Sequence, residues 1–182
     1  MIASLLRWST GRMAALGVAL MVIVGQVIFR FGPYPRLEAL PGGADLPETA
    51  STAPALVAAY LERIGPEGRE LYARFQWFDL LNPVLICVAL VPLIGWLIGR
   101  AGVADRPWRY LILLPFVAGA MDLVEDVLLM GAIAAYPATA AGSGILPLIT
   151  MLKFGAVVLA LPAVLGLAIA GVVRGRRGRL GE

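Results

Sequence analysis

Four long apolar segments constrain the fold of this 182-residue chain more than any other feature. They cover residues 13–29, 78–98, 110–135 and 145–173. Each is near or above the ~20 residues that an α-helix needs to cross a hydrocarbon core of ~30 Å. Because backbone polar groups in lipid need partners within the chain, we expect helices and not open strands. The sequence predicts an all-α, polytopic membrane protein: a four-transmembrane-helix bundle with an extracytoplasmic helical lid between helices 1 and 2.

The composition supports a membrane location. Hydrophobic residues make up 60% of the chain and charged residues 15%, against about 45–50% and about 25% in soluble domains. We expect a single membrane domain over residues 1–182, with Pro83, Pro92, Pro115 and Pro162 inside the spans and kinking them. The lipid bilayer is the expected partner.

Basic residues predict the orientation of the spans. One side of the predicted membrane carries nine arginines: Arg7, Arg12, Arg100, Arg106, Arg109, Arg174, Arg176, Arg177 and Arg179. The positive-inside rule then places the N- and C-termini in the cytoplasm. Arginine supplies 14 of the 15 basic residues, which is typical of a GC-rich bacterial genome, so we expect the bacterial inner membrane. The first span lacks a small-x-small cleavage site and is expected to stay as a signal anchor.

The missing residue types exclude several chemistries. The chain has no histidine, so imidazole-bound zinc, histidine-ligated haem and nucleophile–histidine pairs are impossible within one chain. The single Cys87 excludes an internal disulfide or CxxC pair. We expect no cofactor and no metal site. The short arginine-rich tail is expected to contact lipid head groups and not nucleic acid.

Residues 30–77 form the predicted extracytoplasmic loop with short helices. Ser51 or Thr52 is expected to cap a helix over residues 55–64, which Gly65 and Pro66 then end. A second helix follows, with no breaker before Asn82.

Polar residues inside the apolar segments are the candidate functional residues. We call the following set the polar cluster: Asp79, Asn82, Asp122, Glu125, Asp126, Thr150 and Lys153. An ionised side chain at mid-bilayer costs about 2.5–3.5 kcal/mol, so these groups are expected to face the bundle interior or water. Spacings of three or four residues place Asp122, Glu125 and Asp126 on one helical stripe. The rise of ~1.5 Å per residue places all of these charges in the middle or outer half of the membrane.

The charges of the polar cluster do not balance, because three or four carboxylates face one ammonium. At least one carboxylate is therefore expected to hold a proton; alternatively, an arginine reaches in or a cation binds. The segment over the cluster is a candidate lid, with Arg69, Tyr72 and Arg74 as its residues. The one lysine suits a site that needs a compact ammonium able to lose its proton.

These residues resemble a group of small bacterial four-helix membrane proteins with no established activity. The shared pattern is LGxxGRxxY, an Asp that opens the second span, DxxE[N/D] in the third and TxxK in the fourth. Here it covers residues 55–160 and falls on Gly65, Gly68, Arg69, Tyr72, Asp79, Asp122, Glu125, Asp126, Thr150 and Lys153. Ile64 replaces the expected leucine, and Asp126 stands where asparagine is common. The resemblance implies that the polar cluster is one unit and implies no function.

Three functions remain open on the sequence. The first is a binding or transport-related module for a cation, a proton or a small polar head group; because four helices are few for a transport path, it would require a homo-oligomer. The second is an enzyme acting on lipid or polyprenyl substrates, with a carboxylate as general acid or base and Lys153 or Arg69 holding a phosphate. The third is a structural or assembly subunit in which buried polar contacts hold the helices together. Whether the chain is an enzyme is left open.

Overall fold

The fold is taken from a computed structural model that describes residues 1–180; residues 181 and 182 of the predicted domain, and the side chain of Arg179, lie outside it. The described residues form helices and no strands, which confirms the all-α class. The α-helices are α1 (Ile2–Trp8), α2 (Gly11–Phe31), α3 (Tyr34–Glu38), α4 (Pro47–Ala50), α5 (Pro54–Arg63), α6 (Gly65–Asp79), α7 (Asn82–Ala101), α8 (Leu114–Ala135) and α9 (Leu146–Leu180). Short 3₁₀ helices cover Pro107–Leu113 and Ser143–Ile145.

Three helical stretches in the described part of the chain are long and apolar enough to cross a membrane. They are Gly11–Phe31, Gly65–Ala101 and Ser143–Arg177. Helix α8 has 22 residues, which is enough length to cross, but it carries three carboxylates within five positions. Those carboxylates set α8 apart from the other long helices.

The four prolines lie at two kinds of position. Pro92 and Pro162 lie inside α7 and α9, as expected. Pro83 and Pro115 occupy the second positions of α7 and α8, with Pro83 still inside the stretch Gly65–Ala101. Proline is tolerated in a first turn because the amides of that turn have no carbonyl partner within the helix.

The expected side-chain cap of α5 is also wrong. The helix begins at Pro54, its N-cap is Ala53, and no side chain accepts a hydrogen bond from its first turn. Thr52 is turned inward instead and is 2% exposed. Helix α5 does end where the sequence predicts: Gly65 has a φ of +67°, which favours glycine and separates α5 from α6.

The chain divides into two compact units. The first contains Met1–Val22, Val84–Gly119 and the described residues from Phe154 onward. Its core is built around Ile94, Ile98 and Ile112. Helices α2 and α7 approach closely at Gly17, where a Cβ atom would lie 2.3 Å from the backbone oxygen of Val88.

The second unit contains Ile23–Pro83 and Ala120–Lys153. Its core joins the loop helices to α8, with Leu37, Tyr72, Phe75 and Leu129 among the most buried side chains. The ring of Tyr60 meets that of Tyr72 edge-on at 5.2 Å. Every residue of the polar cluster belongs to this unit.

Candidate functional site

Lys153 is the centre of the polar cluster. Its Nζ atom lies 3.1 Å from Oδ1 of Asp122 and also donates to Oε2 of Glu125. The side chains are 13% exposed for Lys153, 3% for Asp122 and 1% for Glu125. A spacing of three residues places both carboxylates on one face of α8, so a single ammonium from α9 contacts both.

Asn82 extends this network to the start of α7. Its Nδ2 atom donates to Oδ2 of Asp122 at 2.9 Å. Both carboxylate oxygens of Asp122 therefore have a partner: the ammonium of Lys153 on one side and the amide of Asn82 on the other.

Two threonine hydroxyls connect the loop between α4 and α5 to Glu125. The Oγ1 atoms of Thr52 and Thr150 are 2.8 Å apart, and Thr150 also contacts Oε1 of Glu125 and, at 3.0 Å, the backbone oxygen of Leu146. A hydroxyl has one proton to donate, and a carbonyl or carboxylate oxygen can only accept. Thr150 therefore gives its proton to one of those acceptors and receives a hydrogen bond from Thr52.

Glu48 brings a further carboxylate from α4. Its Oε2 atom accepts a hydrogen bond of 2.7 Å from the hydroxyl of Tyr72, and its Oε1 accepts one of 3.1 Å from Nε2 of Gln76. Both donors belong to α6 and are fully buried, at 0% exposure. Their spacing of four residues places them on one face of the helix, directed at the same carboxylate.

Burial raises the pKa of Glu48 above its ordinary value. The hydrogen bond from Tyr72 opposes this shift, while the negative charge of Glu125 adds to it and the positive charge of Lys153 lowers the pKa. Glu48 thus interacts electrostatically with the polar cluster and belongs to the same site.

Two buried oxygens in this site have no hydrogen-bond partner within the described part of the chain. They are Oδ2 of Asp126 and Oε1 of Gln76. The side chains are 1% and 0% exposed, so water does not freely reach them. Asp126 interacts electrostatically with Asp79 and Asp122. Both oxygens can only accept hydrogen bonds when Asp126 is ionised. The site therefore has more acceptors than donors to satisfy them.

The candidate lid residues have different positions. Tyr72 points into the site and binds Glu48. Arg69 donates to the backbone oxygen of Leu61 at 2.9 Å and lies over the ring of Tyr136. Arg74 is exposed and pairs with Glu70 at 2.6 Å. The structure therefore brings Tyr72 to Glu48, beside the polar cluster, and engages the two arginines elsewhere.

Three residues of the site are not in the set that the sequence analysis selected: Glu48, Thr52 and Gln76. Gln76 had a local signal, since it lies four residues after Tyr72 and three before Asp79 on one face of α6. Glu48 and Thr52 have no local sequence signal, because their partners are 24 to 98 residues away along the chain.

The described residues contain no group of three or more acidic or cysteine side chains placed to hold a metal ion. Comparison of the chain with protein-family models, curated proteins and solved structures finds no match. The function is therefore argued from the geometry of the site.

Proposed function

We propose that this chain is a membrane-embedded binding or transport-related module whose polar cluster takes up a monovalent cation, the proton being the species that the geometry favours. The observation that carries the proposal is the pair of buried acceptor oxygens on Asp126 and Gln76 without a donor. A buried acceptor left without a donor costs about 1–3 kcal/mol. A ligand that brings a donor or a positive charge relieves that cost, and an anion does not.

The charges of the site support the same ligand. Five carboxylates belong to it, on Glu48, Asp79, Asp122, Glu125 and Asp126, whereas Lys153 is the ammonium that contacts two of them. Removing ionised carboxylates from water without compensation is strongly unfavourable. Uptake of a proton or another small cation brings the site nearer to neutrality.

The proton is favoured over a divalent metal. A metal needs several oxygens arranged around one point, and the described acidic residues have no such grouping. A proton needs only one carboxylate, and a protonated Asp126 becomes a donor itself.

Four segments of the chain are proposed to cross the membrane. Helices α2, the α6–α7 pair, α8 and α9 would each cross the inner membrane of a bacterium, with both termini in the cytoplasm. Helix α8 fits this arrangement because Asp122, Glu125 and Asp126 are each at most 2% exposed, so protein and not lipid surrounds them. Transport would require a homo-oligomer.

The direct test of proton binding is infrared spectroscopy of the purified chain. We expect a pH-dependent carbonyl band of a protonated carboxyl group that disappears in Asp126→Asn and persists in the matched control Glu70→Gln, which alters an exposed carboxylate. A spectrum identical in Asp126→Asn and the native chain contradicts proton binding at this residue. Proton uptake into proteoliposomes then tests transport separately, because a band without uptake leaves a binding module.

One observation favours the structural alternative. The contacts of Lys153 and Asn82 with Asp122 join three helices, as expected of polar contacts that hold helices together in lipid. If Lys153→Met combined with neutralised carboxylates keeps both the fold and the cellular phenotype, the structural function is preferred. The alternative of a lipid- or polyprenyl-modifying enzyme has less support, because Arg69, one of its two expected phosphate-binding residues, is engaged by Leu61.

A further inference from the structure

The first unit carries an apolar groove of about 580 Å³, within the range of about 300–1,000 Å³ that is usual for ligand sites. We call it the apolar groove; its lining includes Trp108, Leu111, Leu114, Leu159, Pro162 and Gly166. It is distinct from the polar cluster, which belongs to the second unit.

Two helices with different periods form the walls of the groove. In the 3₁₀ helix Pro107–Leu113 and the residue that follows it, Trp108, Leu111 and Leu114 are three apart and align in one ridge. On α9, the lining residues Ala163, Gly166 and Ala170 have little or no side-chain bulk and leave room between the larger Leu159 and Leu167. An apolar space of this volume and lining suits a hydrocarbon chain.

One guanidinium group, that of Arg174, lies at one end of the groove. Arg174 donates to the backbone oxygen of Ala101, a lining residue, at 3.4 Å. It occupies the space beside Gly102, where a Cβ atom would lie 1.1 Å from Nη1. The guanidinium of Arg100 instead lies over the ring of Trp96, 5.2 Å from its centroid, and Trp96 does not line the groove. The nearby Asp105 lines a different cavity, beside Met1 and Arg109.

We propose that the apolar groove binds one acyl chain of a phospholipid whose anionic head group is held by Arg174. The apolar walls accept the chain, and the guanidinium of Arg174 supplies the complementary charge at the end where a head group would emerge. Three helical stretches are long and apolar enough to cross a membrane, and a membrane would supply such a lipid.

The test uses the full chain, purified in detergent and stripped of lipid, with phosphatidylglycerol and phosphatidylcholine of identical acyl chains as probes. Native mass spectrometry counts bound lipid, and thermal unfolding reports its effect. We expect one saturable phosphatidylglycerol, bound about fivefold more tightly than phosphatidylcholine because the guanidinium of Arg174 contacts its head group. In Arg174→Gln this preference should fall by about fivefold, while the chain still binds.

A groove-filling variant tests the acyl chain. Gly166 lines the groove, and a Cβ atom added there meets no other atom within 4 Å. The side chain of Gly166→Leu should therefore enter the groove and displace at least two methylenes of the ligand, enough to weaken both lipids about tenfold. The matched control is Gly155→Leu, at a second position with open space on the same helix, outside the groove lining. Equal binding of the two lipids by the native chain overturns the proposal, as does full phosphatidylglycerol binding by Gly166→Leu. A native dimer that Gly166→Leu converts to monomer also overturns it, because a second copy then occupies the groove.

Discussion

The ammonium of Lys153 lies 3.1 Å from a carboxylate oxygen of Asp122, and the two side chains are 13% and 3% exposed. Asp122 uses its other oxygen to accept from Asn82. The contact therefore links α9 to α8 and, through Asp122, to α7, and removal of either charge leaves the other in surroundings poor in water.

Substitution of Lys153 by methionine should destabilise the protein strongly. Lys153→Met keeps most of the side-chain volume but leaves Asp122 and Glu125 without their ammonium. The expected loss is about 3–5 kcal/mol of unfolding free energy, the usual cost of breaking a buried ion pair by removing one partner. Denaturant titration in mixed micelles measures it.

The control for this variant is Arg74→Met, which breaks the exposed pair with Glu70. Exposed ion pairs contribute about 0–1 kcal/mol, so this change should have little effect. Similar losses in Lys153→Met and Arg74→Met would contradict the view that burial makes the Lys153 contacts important.

Asp122 and Asp126 should respond differently to the same substitution. They lie one turn apart on α8 and are 2% and 1% exposed, but Asp122 contacts Lys153 and Asn82, whereas Oδ2 of Asp126 has no partner within the described residues. Asp122→Asn should cost about 2 kcal/mol, and Asp126→Asn should leave stability unchanged or increase it by about 1 kcal/mol, because the neutral amide supplies a donor where Oδ2 of Asp126 has no partner. The unfolding free energies of the two variants, measured under the same conditions, test this difference. Equal losses would show that Asp126 has a compensating partner.

The two threonines should be energetically coupled. In a double-mutant cycle of Thr52→Val and Thr150→Val, we expect a coupling of about 1 kcal/mol, the net value of one hydrogen bond. Thr150→Val alone should cost more than Thr52→Val, because the acceptor of the Thr150 proton, Glu125 or the backbone oxygen of Leu146, also loses its donor. Additive effects would mean that the 2.8 Å contact contributes nothing to stability.

Glu48 should make stability depend on pH in a defined direction. Burial raises the pKa of Glu48 above its ordinary 4.5, so over the window between the two values the folded chain holds a proton that the unfolded chain has lost. Stability contributed by this group therefore falls as pH rises through that window. Glu48→Gln should flatten this part of the profile relative to the native chain, whereas Glu70→Gln, at an exposed carboxylate, should not. A profile unchanged in Glu48→Gln would contradict the assignment.

The helical class of the fold could be predicted from sequence because apolar segments of membrane-crossing length have few alternatives. The ends of helices were less predictable. Hydropathy does not show where the first turn of a helix lies, so it does not predict that Pro83 and Pro115 occupy first turns. Residue type favours Ser51 or Thr52 as the cap of α5, yet Thr52 contacts the hydroxyl of Thr150, 98 residues away.

The sequence by itself determined which polar residues cannot face lipid, because ionised groups are costly there and helical spacing places Asp122, Glu125 and Asp126 on one face. Only the tertiary structure decided their partners: Lys153 with Asp122 and Glu125, Thr52 with Thr150, and Glu48 with Tyr72 and Gln76. Hydropathy and periodicity are properties of one segment. A contact between distant segments depends on how they pack, which no single segment encodes.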